Sequence, residues 1–247
     1  MKELLNDGLA ALGLTPPQGA VDKLCAYADA LLEQNRVMNL TAITAPDDVA
    51  RLHFLDSAAL LAYLKQAGPD GGPWAGGPAG ARLIDVGTGA GFPGVPLKLL
   101  EPALSLTLLD SLGKRVDWLA RTCGALGLED VTCLHARAEE QAQVPGFRDA
   151  FDLAASRAVA SLPLLVELCL PYVRVGGLFL AMKGVSSGEE IDGARSAVAK
   201  LGGEVLPPWD YDIPGAGGTH RLIPIRKVSP TPKGYPRRWA KLQKEPL

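Results

Sequence analysis

The chain has 247 residues, 47% of them hydrophobic and 21% charged, with a formal net charge of −2. That length suggests one domain of ordinary size plus a smaller appendage, and a composition so apolar and charge-balanced excludes a disordered chain. No window approaches the ~20 unbroken apolar residues of a bilayer span; the richest, 162–173, is interrupted by Pro163, Glu167 and Pro171.

Met1-Lys2-Glu3 leads into an amphipathic pattern rather than a short apolar core with a cleavage site, so no signal peptide is expected. Residues 1–67 read as a helical N-terminal region: Leu24, Ala28, Leu31 and Leu32 recur at helical spacing, with Asp22, Lys23, Asp29 and Glu33 opposite. Thr44-Ala45-Pro46-Asp47 has the form of a helix start, with Thr44 as its cap, and Asn39 and Thr41 look like caps as well. Residues 68–80 form a Gly/Pro linker. Short apolar runs then alternate with helical segments: strands at 82–86, 105–109, 131–134, 151–155 and 178–182, helices at 94–100, 114–126, 162–172 and 189–201. Such alternation means βαβ units and a parallel sheet covered on both faces. Two last extended stretches, 205–213 and 222–228, have no helix between them and are expected to pair as an antiparallel hairpin at a sheet edge. The expectation is an α/β, Rossmann-like fold of seven strands over 81–228, followed by a basic tail at 229–247. Cys25, Cys123, Cys133 and Cys169 make no Cys-x-x-Cys pair and have no His partners at metal-ligand spacing. They read as core residues in a reducing, cytoplasmic compartment, with no metal site expected.

The first strand runs into Asp85-Val86-Gly87-Thr88-Gly89-Ala90-Gly91-Phe92-Pro93-Gly94 and then a helix. Glycines straight after a strand let the backbone turn tightly and approach a ligand, and Pro93 suits the first turn of the helix that follows. The second strand ends at Asp110, at the same level, where a carboxylate can accept both hydroxyls of a ribose. Two nucleotide readings compete. Gly89-x-Gly91-x-x-Gly94 with Asp110 about 20 residues on fits the dinucleotide fingerprint, and an NAD-dependent oxidoreductase would use it. The larger unit, Asp85-x-Gly87-x-Gly89-x-Gly91, resembles the first motif of class I methyltransferases, which bind S-adenosylmethionine (SAM). Ala138-Glu139 after the third strand favours the second reading, standing where those enzymes contact adenine. So does the want of a later His or Ser-Tyr-Lys constellation for hydride chemistry.

From about Asn39 to its last residue the sequence resembles one family closely, the ribosomal RNA small-subunit methyltransferases G, or GidB family. The resemblance is carried by Asn39-Leu40-Thr41, His53 to Ser57, Ile84 to Gly94 and Leu109 to Arg115. It continues through Ser156-Arg157-Ala158, Met182-Lys183-Gly184, Pro230-Thr231-Pro232, Tyr235 to Arg238 and Lys244 to Leu247. It implies SAM-dependent methylation of one guanine N7 in 16S rRNA, in a loop near the decoding centre, with the rRNA or small subunit as partner. It also implies a SAM site lined by Gly87, Gly89, Phe92, Asp110, Ala138, Glu139 and Arg157. Two positions depart from the family pattern. This chain has His220-Arg221 where the family usually reads Arg-His, and Trp239 to Gln243 replaces the usual Gly/Pro spacing of the tail.

Guanine N7 carries a lone pair and no proton, so neither general base nor nucleophile is expected; the chemistry asks for position. Cys169 falls within an apolar helix face, which leaves a covalent cysteine mechanism unsupported. Arg157, just past the fourth strand, is expected to partner a carboxylate in the site, and His53 and Asp56, three apart on one helix, to form a hydrogen-bonded pair. Residues 1–218 hold 17 basic against 26 acidic residues, whereas 219–247 hold eight against one, Glu245. Such asymmetry suits a tail that meets a polyanion. Lys183, His220, Arg221, Arg237 and Arg238 are the candidates for RNA, with Arg226, Lys227, Lys233, Lys241 and Lys244 as further phosphate partners. Tyr235 and Trp239 are placed among them to stack on bases for about 1–3 kcal/mol each, or, for Trp239, to pin the tail to the body. The remaining alternative is a non-catalytic RNA-binding protein.

Overall fold

The computed structural model describes residues 1–66, 77–157 and 160–247. The N-terminal helical pattern resolves into α1 (Lys2–Ala11), α2 (Ala20–Asn35), α3 (Pro46–Val49), a wider π-helical turn (Ala50–Leu55) and α4 (Asp56–Gln66). Thr44 does not cap α3. The residue before a proline is driven to extended backbone, so Ala45 becomes the flanking residue and no side chain caps the helix. Asn39 and Thr41 cap no helix either. The chain there turns about Asn35, whose amide oxygen accepts from the Leu40 and Thr41 N–H groups. Most of the expected 68–80 linker lies outside the described residues.

The remaining elements are β1 (Arg82–Val86), α5 (Gly94–Leu100), β2 (Ser105–Asp110), α6 (Gly113–Ala125), β3 (Val131–His135), α7 (Ala138–Gln141), β4 (Phe151–Arg157) and α8 (Leu162–Cys169). A 3-10 turn (Leu170–Tyr172) leads to β5 (Val173–Gly184), α9 (Gly188–Lys200), β6 (Gly203–Val205), β7 (Trp209–Asp212), β8 (Thr219–Lys227) and α10 (Trp239–Lys244). The sheet runs β3-β2-β1-β4-β5-β8-β6, with β7 also on β8. β1 to β5 are parallel, and β8 is antiparallel to β5. Eight strands stand where seven were expected, because Pro207 and Pro208 have no N–H for a ladder and divide the 205–213 stretch. The expected antiparallel pairing joins β7 to β8, Trp209 opposite Leu222 and Asp212 opposite Thr219. β8 itself is not the edge: β5 flanks one side, β6 and β7 the other. Its Leu222, Ile223 and Ile225 are buried on both faces, which demands cover on both.

Strand alternation divides the core in two. Leu83, Leu106, Leu153 and Leu180 pack with Leu5, Leu24, Leu31 and Leu60 of the N-terminal helices and with α5 and α6. Ile84, Val86, Ala154 and Phe179 pack with α8, α9 and Leu242 of α10. The N-terminal helices thus share a core with the sheet, each fully buried leucine contributing roughly 1.5–3 kcal/mol. The four cysteines are free, Cys123 and Cys169 buried. Among the described residues, no helix is long and apolar enough to cross a membrane.

Candidate active site

The connections leaving β1 and β2 come out at the sheet's carboxyl edge, next to the point where strand order reverses between β1 and β4, the place for a ligand in an open parallel sheet. Gly87 and Gly89 turn there with φ of 71° and 60°, a left-handed conformation open chiefly to glycine. A Cβ on Gly89 would meet only the Gly87 carbonyl, at 4.0 Å, so this turn faces open space. Gly91 packs instead: a Cβ there would lie 2.5 Å from the Tyr27 hydroxyl. That hydroxyl donates to the Ala90 carbonyl, and the Tyr27 ring stacks among Phe54, Phe92 and Trp118, tying α2 to the loop.

Two carboxylates hold the turn. Asp85 is buried beneath it; its Oδ2 accepts from Thr88 Oγ1 at 2.7 Å and Gly94 N at 2.8 Å, while Oδ1 has no partner. Burial raises its pKa to about 6 against those hydrogen bonds. Asp110 accepts from Gly89 N through Oδ2 and from Leu112 N through Oδ1, each at 2.9 Å. A carboxylate has about four lone-pair sites, so one on each oxygen is left for a pair of ribose hydroxyls. The open glycine turn and the half-used Asp110 carboxylate, which both line the cleft, fit a ribonucleoside. Gly87, Gly89, Phe92, Asp110 and Arg157 line a cleft of about 420 Å³ together with Thr41 and His53. An adjoining hollow of about 110 Å³ shares Gly87, Asp110 and Ser111 and extends to Ala138, Glu139 and Trp239. The seven residues named for the cofactor thus meet around one groove.

Arg157, at the end of β4, organises the mouth. Its guanidinium donates to Asp56 Oδ2 and the Leu52 carbonyl, both at 3.0 Å, and lies 2.8 Å from His53 Nδ1. A guanidinium has no acceptor, so Nδ1 accepts and Nε2 carries the proton toward Thr41 Oγ1 at 2.8 Å. Burial, then the Arg157 charge, lowers the His53 pKa to about 3; the ring is neutral and stacks on Phe92 with centroids 4.4 Å apart. Asp56 meets burial that would raise its pKa, yet His220, Arg157 and Tyr211 hold it below the usual carboxylate value. Tyr211 Oη donates to Asp56 Oδ1 at 2.8 Å, and His220 Nδ1 lies 3.1 Å from the same oxygen. His53 and Asp56 are therefore joined through Arg157 rather than to each other. Tyr211, Tyr27 and Asn35 carried no sequence signal; their partners are set by tertiary contact.

The RNA candidates are dispersed. Lys183 pairs with Glu190 at 2.7 Å, His220 turns inward to Asp56, and Arg221, on the opposite face of β8, grips Asp210 through two nitrogens. Arg237 binds Glu167, which is 0% exposed, through its backbone N–H and its guanidinium. Lys227 is fully buried on the Leu170 carbonyl, Thr231 and Asp149, so neither of these two lies out in the solvent as a tail cation would. Arg238, Lys233, Lys241 and Lys244 are exposed. Ala158 lies outside the described residues.

Fold and groove together define a class I SAM-dependent methyltransferase. The crystal structure of a mutant 16S rRNA (adenine(1408)-N(1))-methyltransferase from Catenulisporales acidiphilia shares the fold, with a TM-score of 0.50 and 16% identity over 63% of this chain and 88% of that one. The sequence model of the GidB family, rRNA small subunit methyltransferase G, matches residues 20–207. The ribosomal RNA small subunit methyltransferase G of Alkaliphilus metalliredigens is 46% identical over 248 residues, covering 100% of this chain and 98% of its own. That of Symbiobacterium thermophilum is also 46% identical, over 99% of this chain and 97% of its own. The chain belongs to the GidB family, which sets aside the NAD-dependent alternative.

Proposed function

We infer that this protein methylates N7 of a guanine in 16S rRNA, acting in the cytoplasm on the rRNA or the small ribosomal subunit. The observation that carries the reading is the groove in which Gly87, Gly89 and the half-used Asp110 carboxylate face a ribose-sized space, in a chain of this family. Residues 81–228 carry catalysis, the N-terminal helices close the mouth, and the exposed lysines and arginines of 229–247 meet phosphate. When bound, SAM supplies an electrophilic methyl group that the N7 lone pair takes by in-line displacement, with no proton to remove. The chain's task is position. Asp110 holds the ribose hydroxyls, Ala138 and Glu139 border the base, and Arg157 and neutral His53 fix Phe92 at the mouth. Both ring nitrogens of His53 are already engaged, in keeping with a reaction that needs no base. Lys183, His220, Arg221 and Arg237 serve chiefly to order the substrate-facing surface through their carboxylate partners, leaving Arg238 and its neighbours for RNA.

Borohydride–aniline cleavage of 16S rRNA from cells with and without the gene tests the reading. A single cleavage site that disappears with the gene is expected, and unchanged cleavage refutes it. Labelled methyl transfer to naked rRNA and to assembled subunits then separates the two substrates, and salt-dependent binding without transfer would mean a binding protein instead.

A further inference from the structure

We propose that Trp239, on the C-terminal helix α10, forms a wall of the adenine end of the cofactor groove, so that the tail acts on nucleoside binding as well as on RNA. The proposal rests on the reading of that groove as the SAM site. Among the described residues of 229–247, Trp239 alone lines the smaller hollow, with Gly87, Asp110, Ala138 and Glu139. The Arg137 guanidinium lies 4.9 Å from its ring centroid, and Arg137 immediately precedes the Ala138-Glu139 border of the hollow. The ring is therefore fixed to the segment that meets the base.

The tail is built to hold it there. Arg237 saturates the buried Glu167 of α8, and the next residue along α8, Leu168, lines the same hollow. Arg148 donates to the carbonyls of Thr231, Pro232 and Tyr235, Gln143 donates to Pro236 O at 3.0 Å, and Leu242 is fully buried. None of these contacts needs RNA. A planar base entering a narrow, largely apolar slot gains most from an aromatic side chain already locked in place, and each of these anchors does that for Trp239. The residue lies beyond the 20–207 region of the family match.

Calorimetry of SAM and S-adenosylhomocysteine with the full chain and its W239A, W239F and D110A variants tests this, with tryptophan fluorescence followed in parallel. W239A should weaken both ligands roughly tenfold or more, and W239F should stay within about threefold of the parent. The fluorescence change on adding S-adenosylhomocysteine should be lost in W239F. If W239A stays within about twofold while D110A loses affinity, the proposal falls and the cofactor site stands. If D110A binds like the parent, the site reading itself falls, and the proposal with it. Should W239A and W239F both lose affinity along with unfolding temperature, the tryptophan is a pin for the tail and the proposal is overturned.

Discussion

His53 is buried at the groove mouth with a pKa lowered to about 3 by burial and then by Arg157. In the unfolded chain it titrates near ~6.5. Its contribution to stability is therefore whole above about pH 6.5 and is lost as pH falls toward its folded value. His220 runs the other way: the Asp56 hydrogen bond raises its pKa, so its contribution is present below about 6.5 and lost as pH rises through the folded value. H53Q removes only the first effect. Between about pH 7 and pH 5 the parent should lose about 2 kcal/mol more than H53Q in urea unfolding; parallel pH slopes would show that His53 is not held neutral. At this scale the glycine loop and Asp110 were legible in the sequence, because turn and carboxylate are set by local backbone geometry. The hydroxyl of Tyr211 on Asp56 was not, since 155 residues separate them.

At the scale of elements, the largest revision concerns the tail. As a run of basic residues it reads as a phosphate-binding arm, separable from the body. In the fold, Arg237 neutralises Glu167, a residue that from sequence merely interrupts an apolar stretch. Removing one partner of a buried pair leaves an uncompensated charge and costs about 3–5 kcal/mol. R237A should lower stability by that order in chemical denaturation, and the double variant E167Q/R237A should recover much of it, because no charge is then stranded. A loss no smaller in the double variant would mean that the pair adds nothing beyond packing. Deleting the tail beyond Val228 should accordingly damage the body and the cofactor groove together. Pro207 and Pro208 show the reverse case: they visibly punctuate the sequence, yet only the sheet reveals that they separate two strands serving one neighbour.

For the molecule as a whole, the N-terminal helices and the βαβ body are one packed object around the glycine loop. Tyr27 is the junction, fully buried, its hydroxyl on the Ala90 carbonyl and its ring among Phe54, Phe92 and Trp118. Y27F strands that carbonyl and should cost about 1–3 kcal/mol, with far-ultraviolet circular dichroism and tryptophan fluorescence still reporting one coincident transition. Two separated transitions would show the helical layer to be an independent unit.

The sequence by itself determined the alternation of strands and helices, the turn after β1, the carboxylate at the end of β2 and the family, since each is written in neighbouring residues whose spacing backbone geometry converts directly into structure. Tertiary structure alone decided which charge meets which, that β8 lies inside the sheet, and that the basic tail folds back onto α8. Such choices depend on distances through space between segments far apart along the chain, and a buried charge accepts whichever partner the packing brings within reach.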